Sequence, residues 1–492
     1  MTVRITGLSS GMDVDAMVKT LMKAEQGKKD KLVQQQTSLQ WKQEAYRDVA
    51  TSLVDFRQNK MSNYNLNSIL TSRKAEVTGN SSAVAVTSTS SSASGTMNVA
   101  VQNVATSSSG IYNVSSRGTN PFAYNTSDPA QNTFTVNGKT VEIKADDTLD
   151  SVIKRINSDK DINATVMYSN GRLSITNNAT GSSSDPAKAA VITGPGFIES
   201  TDPGYQRVVG QDANYKINGL AYSSSTNNVT VNGFSLQLKA ATGSNGAAII
   251  STSVDTDKIV NAIKSFITDY NSILDQVNGK LNEAIYRDYK PLTQDQEDAM
   301  SDKQAELWES KAKSGLLSND ATLSSMISSM RTMMVTGFDD GKGNKISLQS
   351  IGITTGQWTD YGKLVIGDED KLRKAIESNP DGVAKLFTAT GTDPKNPTST
   401  DSGIFTKISA TVLNSLQMLS TKAGTSAYST DKNGTFIANS SISEQLRTLT
   451  KQISDQDAYL KRKEDQYYAQ FSAMETAMNR YSAQSSAFSS YQ

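Results

Sequence analysis

Residues Leu446 to Phe488 carry the sequence LRTLTKQISDQDAYLKRKEDQYYAQFSAMETAMNRYSAQSSAF, which contains no proline. Every seventh residue in it is apolar, in a row made of Leu446, Ile453, Leu460, Tyr467, Met474, Tyr481 and Phe488. Sustained seven-residue spacing predicts a helix that packs along another helix in a left-handed supercoil. At a rise of about 1.5 Å per residue, such a helix is roughly 60 Å long.

The second row of this helix, three residues further on, is mostly polar and consists of Leu449, Gln456, Lys463, Gln470, Ala477 and Gln484. One apolar row buries too little surface to offset the entropy of ordering so long a segment, so the helix needs a partner. The N-terminal region repeats the same spacing in Leu32, Leu39, Tyr46 and Leu53, with Val49 and Phe56 in the neighbouring row. We expect the two ends to form an antiparallel rod with all other domains inserted between them. Two ordinary amphipathic helices in one globular bundle are the alternative, but a period of seven favours the rod.

The composition limits the class of protein. A chain of 492 residues has room for about three domains. Lys plus Arg and Asp plus Glu number 49 each, so the charge gives no reason to expect nucleic acid or an anionic membrane as a partner. No apolar stretch is long enough to span a bilayer. The start, Met1 to Ile5, turns polar at once and lacks the apolar core of a Sec signal peptide, so an exported chain is expected to use another route.

Cysteine and histidine are absent, which removes thiolates, disulfides, imidazole bases and the nitrogen and sulfur ligands of zinc. Catalysis by carboxylates alone stays open, but no carboxylate pair has a supporting pattern, and Asp147 is explained as a helix cap. The run from Asp339 to Asn344 resembles half of a calcium loop. Ser350 occupies the position of the required bidentate Glu, so a polar turn is expected there instead. We predict no catalytic residue, no cofactor and no metal site.

From about Lys74 to residue 254 the apolar period is two, which predicts strands. Tight hairpin turns are predicted at four Asn-Gly pairs: Asn137-Gly138, Asn170-Gly171, Asn218-Gly219 and Asn232-Gly233. At the first turn, Phe134 and Val136 are expected to face Val141 and Ile143. A short helix capped by Asp147 should follow, with Leu149, Val152, Ile153 and Ile156 on its apolar face.

Helical periodicity resumes at Asp257 with a wide apolar stripe from Ile259 to Leu281 that must be buried. A later helix carries a stripe of Met326, Met330, Met333 and Met334. Core packing is the expected role of these methionines. A surface that adapts to a partner is the alternative, because methionine reshapes easily.

These patterns predict an α+β multidomain chain with an antiparallel terminal coiled-coil stalk, a helical middle domain and two β-rich head domains. The expected boundaries are 1–42 and 446–492 for the stalk, 43–73 and 255–445 for the helical and mixed middle domain, 74–110 and 206–254 for one head domain, and 111–205 for an inserted head domain with the hairpin-helix module.

Several segments resemble the flagellar hook-associated protein 2 family, the filament-capping proteins of bacterial flagella. The first is GLSSGMDVD, whose motif positions are Gly7, Leu8, Ser10, Gly11 and Asp13, and in which Ser10 to Asp13 predicts a capping box that opens a helix. Residues 289–320, YKPLTQDQEDAMSDKQAELWESKAKSGLLSND, are also similar to the family, as are residues 347–353 and 470–475, in the family's order. The hairpin and helix of residues 133–157 resemble a short repeat shared by flagellins and hook-associated proteins.

The resemblance implies a structural capping protein, not an enzyme, at the extracellular tip of the flagellum. It implies export by the flagellar type III route without a cleaved signal peptide, and a ring of five or a similar number of copies that promotes insertion and polymerisation of flagellin. The implied partners are other copies of the chain, flagellin, the hook-filament junction proteins and a flagellar export chaperone, with no nucleic acid and no membrane insertion. The alternative is a surface adhesin on a coiled-coil stalk that binds host or environmental glycans. An adhesin would ordinarily carry a Sec signal or a membrane anchor.

Overall fold

The computed structural model describes residues 13–64, 67–90, 93–114, 120–182, 188–203, 205–343 and 345–489. Its α-helices are α1 (Val14–Asp55), α2 (Met61–Tyr64), α3 (Asn67–Leu70), α4 (Leu149–Ser158), α5 (Thr256–Leu281), α6 (Gln294–Asp298), α7 (Asp302–Lys313), α8 (Ala321–Thr336), α9 (Glu369–Ser378), α10 (Pro380–Thr388), α11 (Ile404–Ala423) and α12 (Ser441–Ser489). A π-helical turn, Phe56–Lys60, joins α1 to α2. Among the described residues, no helix is both long enough and apolar enough to cross a membrane.

The strands are β1 (Arg73–Gly79), β2 (Val84–Thr89), β3 (Thr96–Asn103), β4 (Ser107–Val114), β5 (Thr133–Val136), β6 (Lys139–Glu142), β7 (Ala164–Ser169), β8 (Arg172–Thr180), β9 (Ile192–Thr193), β10 (Phe197–Glu199), β11 (Ala213–Ile217), β12 (Leu220–Ser224), β13 (Asn228–Val231), β14 (Phe234–Leu238), β15 (Ala248–Val254), β16 (Phe338–Asp339), β17 (Lys345–Ile346), β18 (Ile353–Thr355) and β19 (Leu364–Ile366). The chain divides into two compact units. We call residues 1–70 with 257–492 the helical unit, and residues 71–256 the β unit.

The core of the helical unit forms around α5, α8 and α11. All nine residues of the predicted α5 stripe are buried: Ile259, Ile263, Phe266, Ile267, Tyr270, Ile273, Leu274, Val277 and Leu281. Met326, Met330 and Met334 of α8 are buried with them, and Met333 is half-buried. The core role predicted for these methionines is confirmed, and the partner-surface alternative is wrong.

The β unit has two hydrophobic cores. One lies between the sheet β1-β15-β3-β11-β12 and the sheet β13-β14-β2, and is built from residues 83–105 and 213–250. The other lies between the sheet β10-β4-β8-β7, the sheet β6-β5-β9 and helix α4, and is built from residues 112–192. The chain passes from the first part into the second and returns, so one β-rich part is inserted into the other. Strand β4 of the inserted part begins at Ser107, before the residue 111 expected from the sequence.

The four Asn-Gly turns are confirmed. Each pair joins two antiparallel strands, with φ between 47° and 52° at the asparagines and between 76° and 88° at the glycines. Two successive residues with positive φ are what a two-residue type I′ hairpin requires. The predicted pairing of Phe134 with Val141 is also present, but Val136 pairs with Lys139 and not with Ile143.

One predicted helix cap differs from the structure, and the other lies partly outside the described residues. The cap of α4 is Thr148, whose hydroxyl accepts from the Ser151 amide at 3.2 Å, so the assignment of Asp147 was wrong. Asp147 binds the Arg155 guanidinium instead, at 2.6 Å. Helix α1 is capped by Asp13, whose carboxylate accepts from the amide of Ala16 at 2.9 Å. The motif residues Gly7, Leu8, Ser10 and Gly11 lie outside the described residues.

The acidic run that resembles a calcium loop forms a polar turn over its described residues, as predicted. The Asp339 carboxylate accepts from the amide of Gly341 at 2.9 Å, and the Asp340 carboxylate accepts from the amide of Lys342 at 2.8 Å. Lys345 forms an ion pair with Asp339 at 3.0 Å.

Candidate assembly interface

Helices α1 and α12 pair in antiparallel orientation. The Gln36 amide donates to the Thr450 hydroxyl at 2.8 Å, and Lys29 forms an ion pair with Asp457 at 2.6 Å. Further along, the Tyr468 hydroxyl donates to the Asp15 carboxylate at 2.8 Å. Contact positions therefore fall along α1 as they rise along α12, and these two helices form one rod. We call this pair the rod.

The apolar row of α12 is buried in its middle and exposed toward its C-terminus. Leu460 is 7% exposed, Leu446, Ile453 and Tyr467 are half-buried, and Met474 and Tyr481 are 37% and 73% exposed. The side chain of Phe488 lies outside the described residues. Asp15, near the first described residue of α1, already pairs with Tyr468, while α12 continues to Ser489. The last turns of α12 therefore extend past the described part of α1.

The apolar row predicted on α1 contacts different partners along its length. Leu32 and Leu39 are half-buried on the part of α1 that pairs with α12. Tyr46 and Leu53 are fully buried, but they lie in the core of the helical unit, because Gln43 already bonds Ser443 next to the start of α12. Their assignment to the rod was a misplacement: one continuous helix keeps the same apolar face while its partner changes.

A buried polar cluster connects helix α1 of the rod to α8 and α11. The Tyr46 hydroxyl donates to Asp320 at 2.7 Å, and the Lys422 ammonium binds the same carboxylate at 2.5 Å. Burial opposes ionisation of Asp320, but the hydrogen bonds from Lys422 and Tyr46 prevail and hold its pKa below the usual range. Burial and the adjacent carboxylate raise the pKa of Tyr46, so its phenol stays neutral and donates. Helices α1, α8 and α11 thus meet at one carboxylate.

The seam of the rod is partly polar. Gln456 is only 9% exposed. The Glu25 carboxylate lies 3.4 Å from the hydroxyls of both Tyr459 and Tyr467. Polar contacts of this kind contribute less net free energy than apolar packing does, because each replaces a hydrogen bond to water. We therefore still expect the rod to have limited intrinsic stability, which remains a prediction.

The segment before and within α7 packs beside the rod. The Gln34 side chain donates to the Pro291 carbonyl at 2.9 Å, and the Lys313 ammonium lies 4.6 Å from the centre of the Trp41 ring. The Trp308 indole donates to the Lys290 carbonyl at 2.8 Å. A cleft of about 530 Å³ remains between this segment and the rod. Sequence reasoning marked the segment only by resemblance, because nothing local in it indicates that it contacts α1.

The two long helices pair with each other, and the β unit is inserted between them in the sequence, an arrangement that suits a structural assembly protein. A family model described as the flagellar hook-associated protein 2 N-terminus matches residues 10–108, and one described as its C-terminus matches residues 210–483. The chain therefore belongs to the flagellar hook-associated protein 2 family, the capping proteins of the flagellar filament. The two matches leave residues 109–209, most of the inserted part of the β unit, between them.

Two relatives named flagellar hook-associated protein 2 agree with this assignment. Flagellar hook-associated protein 2 of Halalkalibacterium halodurans is 28% identical over 98% of both chains. The protein of the same name from Escherichia coli K12 is 25% identical over 82% of this chain and 84% of its own. The crystal structure of the flagellar cap protein FliD from Escherichia coli matches 82% of this chain and 99% of its own, with a TM-score of 0.48 and 19% identity. Neither of the two relatives is an adhesin by name, so the adhesin alternative finds no support.

Proposed function

We propose that copies of this chain form a ring-shaped cap at the extracellular tip of the flagellar filament, where the cap promotes insertion and polymerisation of exported flagellin. The ring holds five or a similar number of copies. The chain reaches the tip through the flagellar type III route. An export chaperone and the hook-filament junction proteins are its further partners.

The observation that carries this proposal is the incompletely buried apolar row of α12. Met474 and Tyr481, together with Met478 at 40% exposure, lie beyond the described part of α1. Large apolar side chains exposed along one helix mark an interaction site. We assign the covering surface to neighbouring subunits and the filament. A rod with a partly polar seam can release and dock again as each flagellin enters, because part of its ordering entropy is offset only in the assembly.

We retain the row from Leu446 to Phe488, with Leu32 and Leu39, as the proposed assembly surface, and residues 1–42 and 446–492 as the proposed stalk. The same proposal includes the domain boundaries. They are 43–73 and 255–445 for the middle domain, 74–110 and 206–254 for one head domain, and 111–205 for the inserted head domain. Tyr46 and Leu53 are left out of the surface because they lie in the core of the helical unit.

Leu460→Asp tests the proposal. A charge at this 7% exposed position should separate the rod at a cost of about 2–4 kcal/mol, while the β unit keeps its melting temperature. In a strain that lacks the cap, the variant should leave cells non-motile and flagellin monomers in the medium. Ala458→Asp makes the same charge change at an exposed position two residues earlier and should restore motility. Full motility with Leu460→Asp would rule out the rod as the capping element.

A further inference from the structure

The cleft beside the rod is basic. Lys31 and Lys42 of α1 line it together with Lys290, and no carboxylate is among its lining residues. Within the described part of the chain, none of these three ammonium groups forms an ion pair. The rest of the lining combines apolar side chains, among them Leu39 and Tyr289, with glutamines that can bond a peptide backbone. A site of this composition suits an acidic peptide segment.

An acidic segment lies directly beside the cleft. Helix α6 begins three residues after Pro291, which lines the cleft, and carries Asp295, Glu297 and Asp298, all exposed. Over the described residues, these three carboxylates form no ion pair either. The same segment continues into α7, where Leu307 is 59% exposed.

We propose that this surface pairs two copies of the chain through a two-fold symmetric contact, in which the cleft of each copy receives α6 of the other. Adjacent patches of opposite charge are self-complementary under a two-fold rotation, and every ion pair then forms twice. A head-to-tail contact would require the two patches to lie on different sides of the helical unit. Leu307 supplies an apolar side chain for the apolar part of the lining. The contact joins copies in solution and does not depend on filament capping.

Sedimentation equilibrium of the full chain tests the contact. We expect a monomer–dimer equilibrium that weakens as NaCl rises from about 0.05 M to about 0.5 M, because exposed charges are screened. Lys31→Glu with Lys42→Glu should raise the dissociation constant by at least about tenfold, since like charges then face each other twice. Asp295→Lys with Glu297→Lys should do the same. Lys451→Glu with Lys461→Glu, on an exposed face of α12, is the matched control and should leave the constant unchanged.

Mixing the two charge-reversed variants gives the most specific result. Each variant repels itself, but in the mixture an acidic cleft meets a basic α6 and a basic cleft meets an acidic α6. The mixture should therefore dimerise with about the parental dissociation constant. A single chain that carries all four substitutions should do the same, because its cleft and its α6 again have opposite charges. Circular dichroism of each variant confirms that it is folded.

Three results would overturn the contact. The first is a chain that is monomeric at every concentration, and the second is a mixture that fails to associate. The third is association that ignores both charge reversals, which would assign it to another surface. A chain that restores motility while giving any of these results leaves the capping proposal intact and removes this contact alone. Protection of the cleft lysines by flagellin in a monomeric chain would assign the cleft to that partner and likewise overturn the two-fold contact.

Discussion

Tyr46 joins three helices through one hydroxyl group, since its Asp320 acceptor caps α8 and also binds Lys422 of α11. Burial and the adjacent carboxylate raise the pKa of the Tyr46 hydroxyl, so the hydroxyl stays protonated and keeps donating to Asp320. The ring itself is fully buried, so the hydroxyl can be removed without opening the core.

We predict that Tyr46→Phe lowers the free energy of unfolding of the helical unit by about 1–1.5 kcal/mol, because Asp320 loses one of its donors but keeps Lys422. Urea unfolding followed by tryptophan fluorescence measures this unit alone, since Trp41, Trp308 and Trp358 all belong to it. Tyr428→Phe, at a side chain that is 60% exposed, is the control and should change little. Equal losses in both variants would assign no special role to the Asp320 cluster.

Asp147 gives the β unit a pH dependence. Its hydrogen bond from Arg155 outweighs burial and, with the Lys144 amide and the Ser151 hydroxyl, lowers its pKa to about 2. Because the folded pKa lies below the unfolded value of about 3.9, the stabilisation is complete above about pH 5 and is lost as the pH falls toward about 2.

Asp147→Asn should therefore reduce the stability of the β unit by about 1–2 kcal/mol near pH 7 and make little difference near pH 2. Calorimetric unfolding over this pH range measures the change. Asp146→Asn, at the exposed neighbouring residue, serves as the control. A loss of stability that is the same at both ends of the pH range would show that Asp147 acts by shape and not by charge.

At the scale of elements, the rod combines one apolar row with a polar one. Gln456 occupies a buried seam position, whereas Gln470, two heptads further on, is exposed. We hypothesise that the polar seam keeps the rod weak enough to release while flagellin enters.

Gln456→Leu should then stabilise the rod by about 1 kcal/mol and slow filament growth. Hydrogen exchange of the α12 amides measures the first effect, and sequential dye labelling of filaments measures the second. Gln470→Leu makes the same substitution at an exposed position outside the seam. It should neither stabilise the rod nor slow filament growth. If hydrogen exchange of α12 is slower but filaments grow at the parental rate, rod stability does not limit cap movement and the hypothesis is wrong.

Elements set by local sequence could be predicted, and those set by distant contacts could not. The Asn-Gly turns and the α5 stripe depend on neighbouring residues, and both are confirmed. Tyr46 was misplaced because its spacing continues the row of the rod, and only the start of α12 at Ser441 shows that the partner has changed. Asp147 and Thr148 are both acceptable caps by type, and the choice depends on Arg155. The cleft depends on Gln34 meeting Pro291, a pair separated by 257 residues, for which no local pattern exists.

At the scale of the whole molecule, the two parts of the β unit are joined tightly. A Cβ atom on Gly210 would lie 2.6 Å from the carbonyl oxygens of both Gly181 and Thr106. The Gly181 amide in turn donates to Thr106 at 3.0 Å, and the Thr180 hydroxyl donates to the Ser225 carbonyl at 2.7 Å. Backbone atoms cannot yield as flexible side chains do, so the junction has no room for a larger residue.

Gly210→Ala should destabilise the β unit by about 2–3 kcal/mol, because the added methyl group must displace backbone. The transition detected by tryptophan fluorescence should not move, since every tryptophan belongs to the helical unit. Gly279→Ala is the opposite case. Nothing lies within 4 Å of its added Cβ, so this exposed α5 position should stabilise the helical unit by about 0.5–1 kcal/mol. A single shared transition in either variant would mean that the units do not unfold separately.

The antiparallel rod also has a consequence in time. The hydrogen bond between Gln36 and Thr450 joins residues 414 positions apart. At about 5–20 residues per second, a ribosome completes α12 roughly 20–90 s after α1. During that interval the apolar face of α1 is not covered by α12. Proteases, and any factor that binds apolar helices, can therefore reach α1 in the nascent chain. Ribosome-bound chains arrested before Ser441 should accordingly be cut within α1 faster than released full-length chains are by the same brief protease pulse.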